Sequence, residues 1–223
     1  MKIVITGSEG LIGKQLVKDL SAKYEIIKLD LKLGHNLEDE KFIANFFKKN
    51  KSLHGMIICH GYNPQKLNLK DDPMKLKINS LNRYFSVNVN SCFNMCRYFI
   101  QNNKKGNIIT ISSLYGINSP KHYIYETGHK NLGYCLSKAS VIMLTKYLAT
   151  LYGKRININT VILGGVYNNK INKKLIKNYS KHNPKKRMMT TNETTGIFEF
   201  LLDAKSSYAN GGVFTIDGGW TSW

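Results

Sequence analysis

Short apolar runs rich in Ile and Val recur along the chain, alternating with longer stretches that mix apolar and polar positions. Runs of this kind bury both faces of a strand, while the mixed stretches suit helices packed over a sheet. The pattern predicts strands at residues 2–6, 25–30, 55–59, 107–112, 157–163 and 212–216. Such alternation implies an α/β fold, a doubly wound parallel sheet of about seven strands with helices on both faces. No Pro-, Gly- or Ser-rich linker interrupts the 223 residues and no internal repeat is evident, so residues 1–223 are expected to form a single domain.

Composition narrows the classes of function. The longest apolar runs fall short of a bilayer span, and the first residues read as a strand rather than a signal peptide. A cytoplasmic protein with no membrane partner is expected. The net charge of +19 could serve phosphate contacts, yet the lysines are spread along the chain with no Arg-rich block and no nucleic-acid module. Nucleic acid is therefore not an expected partner. Cys59 ends a predicted strand, Cys92 and Cys96 lie four apart on an apolar helix, and Cys135 neighbours Tyr134. No His or Cys pair completes a metal site with Cys92 and Cys96, so reduced thiols and no metal are expected.

Two constellations carry candidate chemistry. The first strand turns through Gly7-Ser8-Glu9-Gly10-Leu11-Ile12-Gly13 into a helical stretch, the context of a dinucleotide-binding motif. Gly7 suits the tight turn, Gly10 lets backbone approach a pyrophosphate, and Gly13 permits close packing of helix on strand. The helix N-terminus then offers free N–H groups and its dipole to the phosphates. The second predicted strand ends in Asp30, which could accept from both ribose hydroxyls and repel a 2′-phosphate, favouring NAD over NADP, or could be a turn aspartate. The second constellation is Tyr134 and Lys138, four residues apart and so stacked on one helix face, downstream of the strand that delivers Ser112 and Ser113. An ammonium beside the phenol favours phenolate and lowers the tyrosine's pKa toward neutral.

Together, Thr6-Gly7-x-x-Gly10-x-x-Gly13, Asp30, Asn88, Ser112-Ser113, Tyr134-x-x-x-Lys138 and Asp217-Gly218-Gly219 stand in the order and approximate spacing of the short-chain dehydrogenase/reductase family. The chain resembles that family over essentially its whole length. Residues 2–13, the long Ser-to-Tyr segment and residues 217–221 look most like oxidoreductases of flagellin modification and bacterial surface-sugar synthesis. The resemblance implies a Rossmann-like sheet and a role for each matching residue. Tyr134 is implied as general acid and base, with Lys138 lowering its pKa and binding the nicotinamide ribose. Ser113, with Ser112 as its rival, would bond the substrate oxygen, and Asn88 would support a water-linked proton path to the lysine or merely bend its helix. Cofactor contacts are implied at Gly7, Glu9, Gly10, Leu11, Ile12, Gly13, Asp30, Asn36, Leu37, His60, Gly61, Tyr134, Lys138, Gly164, Val166 and Asn168.

Several positions depart from the family pattern. Ile58-Cys59-His60-Gly61 keeps only the glycine of the usual Asn-Asn-Ala-Gly, Ser91 replaces a small glycine, and Leu163-Gly164-Gly165-Val166 lacks a preceding proline. Asn168 stands where a threonine often meets the cofactor. The segment between Ser113 and Tyr134 is long, placing His122, Tyr123, Tyr125 and Glu126, with Gly165, as expected substrate contacts or as subunit packing. Residues 167–190 would cover the substrate, and their basic cluster, Lys170, Lys173, Lys174, Lys177, Lys181, Lys185 and Lys186, either favours anionic substrates or is a solvated helix face.

The expected activity is NAD-dependent oxidation or reduction of a hydroxyl/carbonyl pair on an anionic sugar derivative, with NADP the lesser cofactor. A 3-oxoacyl carrier-protein reductase and a non-enzymatic dinucleotide-binding scaffold or sensor are the alternatives. Resembling proteins pair their apolar helices, here residues 88–99 and 134–152, across subunits. A homotetramer, then a homodimer, is expected, with Trp220 and Trp223 in a subunit contact.

Overall fold

Six parallel strands lie side by side in the order β2-β1-β3-β4-β5-β6. They are β1 (Lys2–Thr6), β2 (Glu25–Leu29), β3 (Gly55–Ile58), β4 (Gly106–Ser113), β5 (Ile156–Leu163) and β6 (Val213–Ile216). The computed structural model describes residues 1–64, 72–125 and 128–223. Each expected strand is present within a residue or so of its predicted bounds, and the sheet has six strands where about seven were expected. From β2 the chain passes through a short 3-10 turn and helix α2 (Glu40–Lys49) straight to β3 on the other side of β1.

Alternate residues of each strand face opposite sides, so one apolar run feeds two cores. Val4, Met56, Ile58, Ile108 and Ile158 pack on one face against Phe47 of α2 and Phe99 of α4 (Ser91–Asn102). Ile3, Ile5, Ile57, Ile109 and Val161 pack on the other against Leu16 and Leu20 of α1 (Leu11–Leu20) and Phe198 of α7 (Thr195–Leu202). Burial on both faces is what makes the strands read as continuous apolar runs. Only β2 and β6, at the sheet edges, alternate or thin out.

The chain order reverses between β1 and β3, and an open α/β sheet binds ligands in the crevice beyond the strand ends at that point. Helix α3 (Ile78–Phe85) leads through a π-helical turn at Ser86–Asn90 into α4, and α5 (Leu132–Tyr152) crosses behind β4 and β5. Helix α6 (Lys173–His182) packs through Leu175, Ile176 and Tyr179 into a cluster with Leu114, Ile124 and Trp220. Among the described residues, no helix is long and apolar enough to cross a membrane.

Trp220 does not wait for a subunit contact. It is buried in its own chain, stacked on Tyr179 with ring centroids 4.2 Å apart, because the Asp217 carboxylate accepts from the Gly219 and Thr221 N–H groups and curls the last residues back over α6. Trp223 remains exposed.

Candidate active site

The turn after β1 explains its glycines. Gly7 adopts φ +63°, and a Cβ there would lie 2.7 Å from the His60 backbone at the end of β3. A Cβ on Gly13 would meet the Gly7 carbonyl oxygen at 2.1 Å, so only glycine lets α1 begin this close to the strand end. No side chain caps α1 at Gly10, and the helix N-terminus opens onto the crevice as an anion seat. Asp30 stands at the tip of β2, its Oδ2 accepting from the Glu9 N–H at 2.9 Å and its Oδ1 from the Lys32 N–H at 2.8 Å. Gly7, Gly10, Asp30, Asn36, Leu37, His60 and Gly61 line a cavity of about 300 Å³. Bare backbone at Gly7, Gly10 and Gly61 beside the Asp30 carboxylate is the kind of lining that suits a dinucleotide's phosphates and ribose. The same cavity is lined by His35 and Arg83, whose sequence context carries no recognisable motif.

His60 and Ser91, two departures from the family pattern, prove to be partners. Ser91 Oγ donates to the Val87 carbonyl at 2.7 Å, so it accepts from His60 Nε2, 2.5 Å away. Nδ1 is then the acceptor for the Thr6 hydroxyl at 2.7 Å, which itself accepts from the Cys59 N–H. One neutral imidazole thus ties β1, β3 and α4 together beneath the cofactor cavity. Burial, with the Lys138 charge, lowers its pKa from 6.5 to about 4. Unfolded chains take up this proton as pH falls through about 6.5 and the folded protein only near 4, so stability from the neutral ring is full above 6.5 and lost between those values. Thermal unfolding midpoints are expected to drop from pH 7 to pH 5 more steeply in the wild type than in His60→Gln; parallel slopes would refute the linkage.

Tyr134 lies in the first turn of α5, where the Asn131 side chain caps its N–H, and Lys138 follows one turn on. The buried Lys138 ammonium donates to the Ile111 carbonyl of β4 at 2.8 Å and lies 5.9 Å from the Tyr134 ring centroid. Ser112 and Ser113 divide their work: Ser112 Oγ donates to the Lys138 carbonyl, fastening α5 to β4, whereas Ser113 faces the crevice. Asn88, in the π-helical turn, accepts from the Tyr62 N–H and donates to the Tyr62 carbonyl and to Ser137 Oγ, so it joins three elements rather than only bending its own helix.

The electrostatics correct one expectation. Burial raises the Tyr134 pKa above the ordinary phenol value, the Ser113 hydroxyl opposing it, and burial lowers that of Lys138. Desolvation is the largest influence on the phenol, so it is the protonated, acidic form near neutral pH.

Three cavities run along the strand ends and share walls. Cys59 and Gly61 border both the cofactor cavity and a middle one of about 200 Å³, where Ser113, Tyr134 and Lys138 meet. Ile12, Asn63, Ser113, Tyr134, Gly164 and Val166 border both the middle cavity and an outer one of about 640 Å³. Tyr125 and Gly165 line the outer cavity, and the Tyr125 hydroxyl lies 2.5 Å from that of Tyr115. His122 and Tyr123 do not line it: His122 accepts from the Lys130 N–H, and Tyr123, 70% exposed, packs edge-on to His182. Glu126 lies outside the described residues. Leu11 is exposed and Asn168 Oδ1 accepts from the Lys170 N–H; neither lines these three cavities. Of the basic cluster only Lys170 reaches the outer cavity; the other lysines occupy the solvent side because Leu175, Ile176 and Tyr179 take the inner face of α6. Sequence reasoning missed Lys130, which stands as far before Tyr134 as Lys138 stands after it; that symmetry was the available signal.

A glycine-turned helix start, an acid at the second strand and a Ser–Tyr–Lys group on neighbouring elements define the class of dinucleotide-binding α/β oxidoreductases. A family model described as enoyl-(acyl carrier protein) reductase matches residues 2–221, and the chain belongs to the short-chain dehydrogenase/reductase family. It is 32% identical over 193 residues to glucose 1-dehydrogenase of Gluconobacter oxydans, covering 82% of this chain and 67% of that one. It is 34% identical over 125 residues to post-translational flagellin modification protein A of Campylobacter coli, covering 55% of this chain and 48%, about half, of that protein's length. A short-chain dehydrogenase from Leptospira borgpetersenii, solved with bound NAD+, superposes with a TM-score of 0.87 at 26% identity, covering 99% of this chain and 92% of that one.

Proposed function

We propose that the protein interconverts a hydroxyl and a carbonyl on a sugar, phosphosugar or nucleotide sugar, using NAD, in surface-glycan or flagellin modification. The observation that carries this reading is the meeting of Ser113, Tyr134 and Lys138 where the cofactor and outer cavities join. The Gly7–Gly13 turn and Asp30 would hold a nicotinamide dinucleotide, which would supply or accept the hydride. Tyr134 gives its proton to the carbonyl oxygen in reduction and takes it from the hydroxyl in oxidation. Ser113 donates a hydrogen bond to the same oxygen, which gains charge as the carbonyl is reduced. Lys138, anchored on Ile111, stabilises the phenolate left behind. Asn88 holds Tyr62 and Ser137 in place around that proton path.

Support for a sugar comes from the relative named glucose 1-dehydrogenase, and support for flagellin modification from the relative named for it. The family model's description favours a second reading, an acyl carrier-protein substrate. Both are tested by NAD- and NADP-linked turnover on sugars, phosphosugars, nucleotide sugars and a 3-oxoacyl carrier-protein substrate. Turnover of the carrier substrate alone would replace the sugar reading, and turnover of none would sink both.

The exposed Leu136, Met143, Tyr147 and Leu151 recur on one side of α5, with Phe93 exposed on α4. These groups support a homotetramer, or next a homodimer, built on those helices. Gel filtration at micromolar concentration is expected to give an oligomer, and a monomer would refute the assembly.

A further inference from the structure

We infer that Lys130 is the specificity residue of the outer cavity and pairs with a carboxylate or phosphate attached a few bonds from the substrate's reacting carbon. This rests on the hydroxyl/carbonyl reading above and deepens it. The Lys130 ammonium lies 4.7 Å from the Tyr134 ring centroid, over the same ring whose hydroxyl handles the proton. An anion held there belongs near the reacting carbon, not at the far end of a long diphosphate-linked group.

The ammonium is aimed rather than loose. One of its three N–H groups donates to Asn63 Oδ1 at 2.9 Å, and among the described residues no carboxylate pairs with it. No Asp or Glu lines the outer cavity among the described residues, and its second cation, Lys170, has the same sign. A half-buried ammonium facing an acid-free pocket costs desolvation in the empty protein, and an anionic substrate offsets that cost. Burial lowers Lys130 to about 8, so it is still charged at neutral pH.

The test compares wild type with Lys130→Met, both first shown to bind NADH by fluorescence titration. Initial rates with NAD+ are measured on two matched pairs: D-galacturonate with its methyl ester, and D-glucose 6-phosphate with D-glucose. For the anionic member of a pair, kcat/KM is expected to fall about 10- to 150-fold more than for its neutral partner, through KM. The first pair reports a carboxylate and the second a phosphate. An equal loss on both members of each pair overturns the inference.

A second readout needs no turnover. With NAD+ present, limited acetylation by acetic anhydride, followed peptide by peptide in a mass spectrometer, should modify wild-type Lys130 more slowly in malonate or inorganic phosphate than in chloride. Equal modification in all three overturns the subsite. Protection without turnover of any pair leaves the anion site standing and counts against the hydride-transfer reading alone.

Discussion

Tyr134→Phe is expected to lower NAD-linked turnover by about 10²- to 10⁴-fold, the usual worth of a positioned acid or base. The variant loses one hydroxyl and keeps the ring, whose centroid lies 4.7 Å from the Lys130 ammonium and 5.9 Å from that of Lys138. The glycine turn and Asp30 lie on other elements, so NADH binding and the thermal midpoint should change little. That split between lost turnover and retained cofactor affinity separates a chemical role from a packing one. In the free enzyme burial holds the phenol protonated at neutral pH, the form needed to reduce a carbonyl. Oxidation needs the phenolate, so its kcat/KM should climb with alkaline pH in the wild type. The climb should vanish in Tyr134→Phe. Unchanged turnover in the variant would refute the acid/base assignment outright.

Asp30→Ala is expected to lower the ratio of kcat/KM for NAD over NADP by about 10²-fold or more. A charge-assisted hydrogen bond to ribose contributes about 1.5–3 kcal/mol, and a carboxylate facing a 2′-phosphate adds several kcal/mol of repulsion. Both terms disappear with the side chain. The substitution also removes acceptors for the Glu9 and Lys32 N–H groups, so some stability is lost. That loss acts on both cofactors alike and cancels in the ratio, which is why the ratio is the quantity to measure. A ratio that stays fixed would show that Asp30 serves only the turn.

Much of this molecule is legible along the chain because its determinants are local. Strands buried on both faces are largely apolar, and the edge strands β2 and β6 keep short Ile-, Leu-, Val- and Phe-rich runs, so all six strands announce themselves. The need for bare backbone at Gly7 and Gly13 is written as glycine, and one helical turn is written as the four-residue step from Tyr134 to Lys138. Asp30 and Ser113 follow from standing at strand ends. These features depend on residues near one another in sequence, where spacing and periodicity are the geometry.

What needed the folded chain joins residues far apart. His60 and Ser91 looked like two independent departures until the fold set their side chains in contact across β3 and α4. The phenol's pKa direction depended on how much water the surrounding elements exclude, which no spacing records. Along the chain Trp220 reads as an interface group because its partner, Tyr179, arrives from a helix about forty residues upstream. His122 and Tyr123 lost their expected place to Lys130 and Asn63 through the path of an irregular loop. Sequence by itself determined the sheet, the glycine turn and the one-turn step from Tyr134 to Lys138, since these are set by covalent spacing and burial periodicity. The tertiary structure alone decided the imidazole lock, the protonation balance and the walls of the outer cavity, because desolvation and side-chain pairing arise only when distant segments exclude water together.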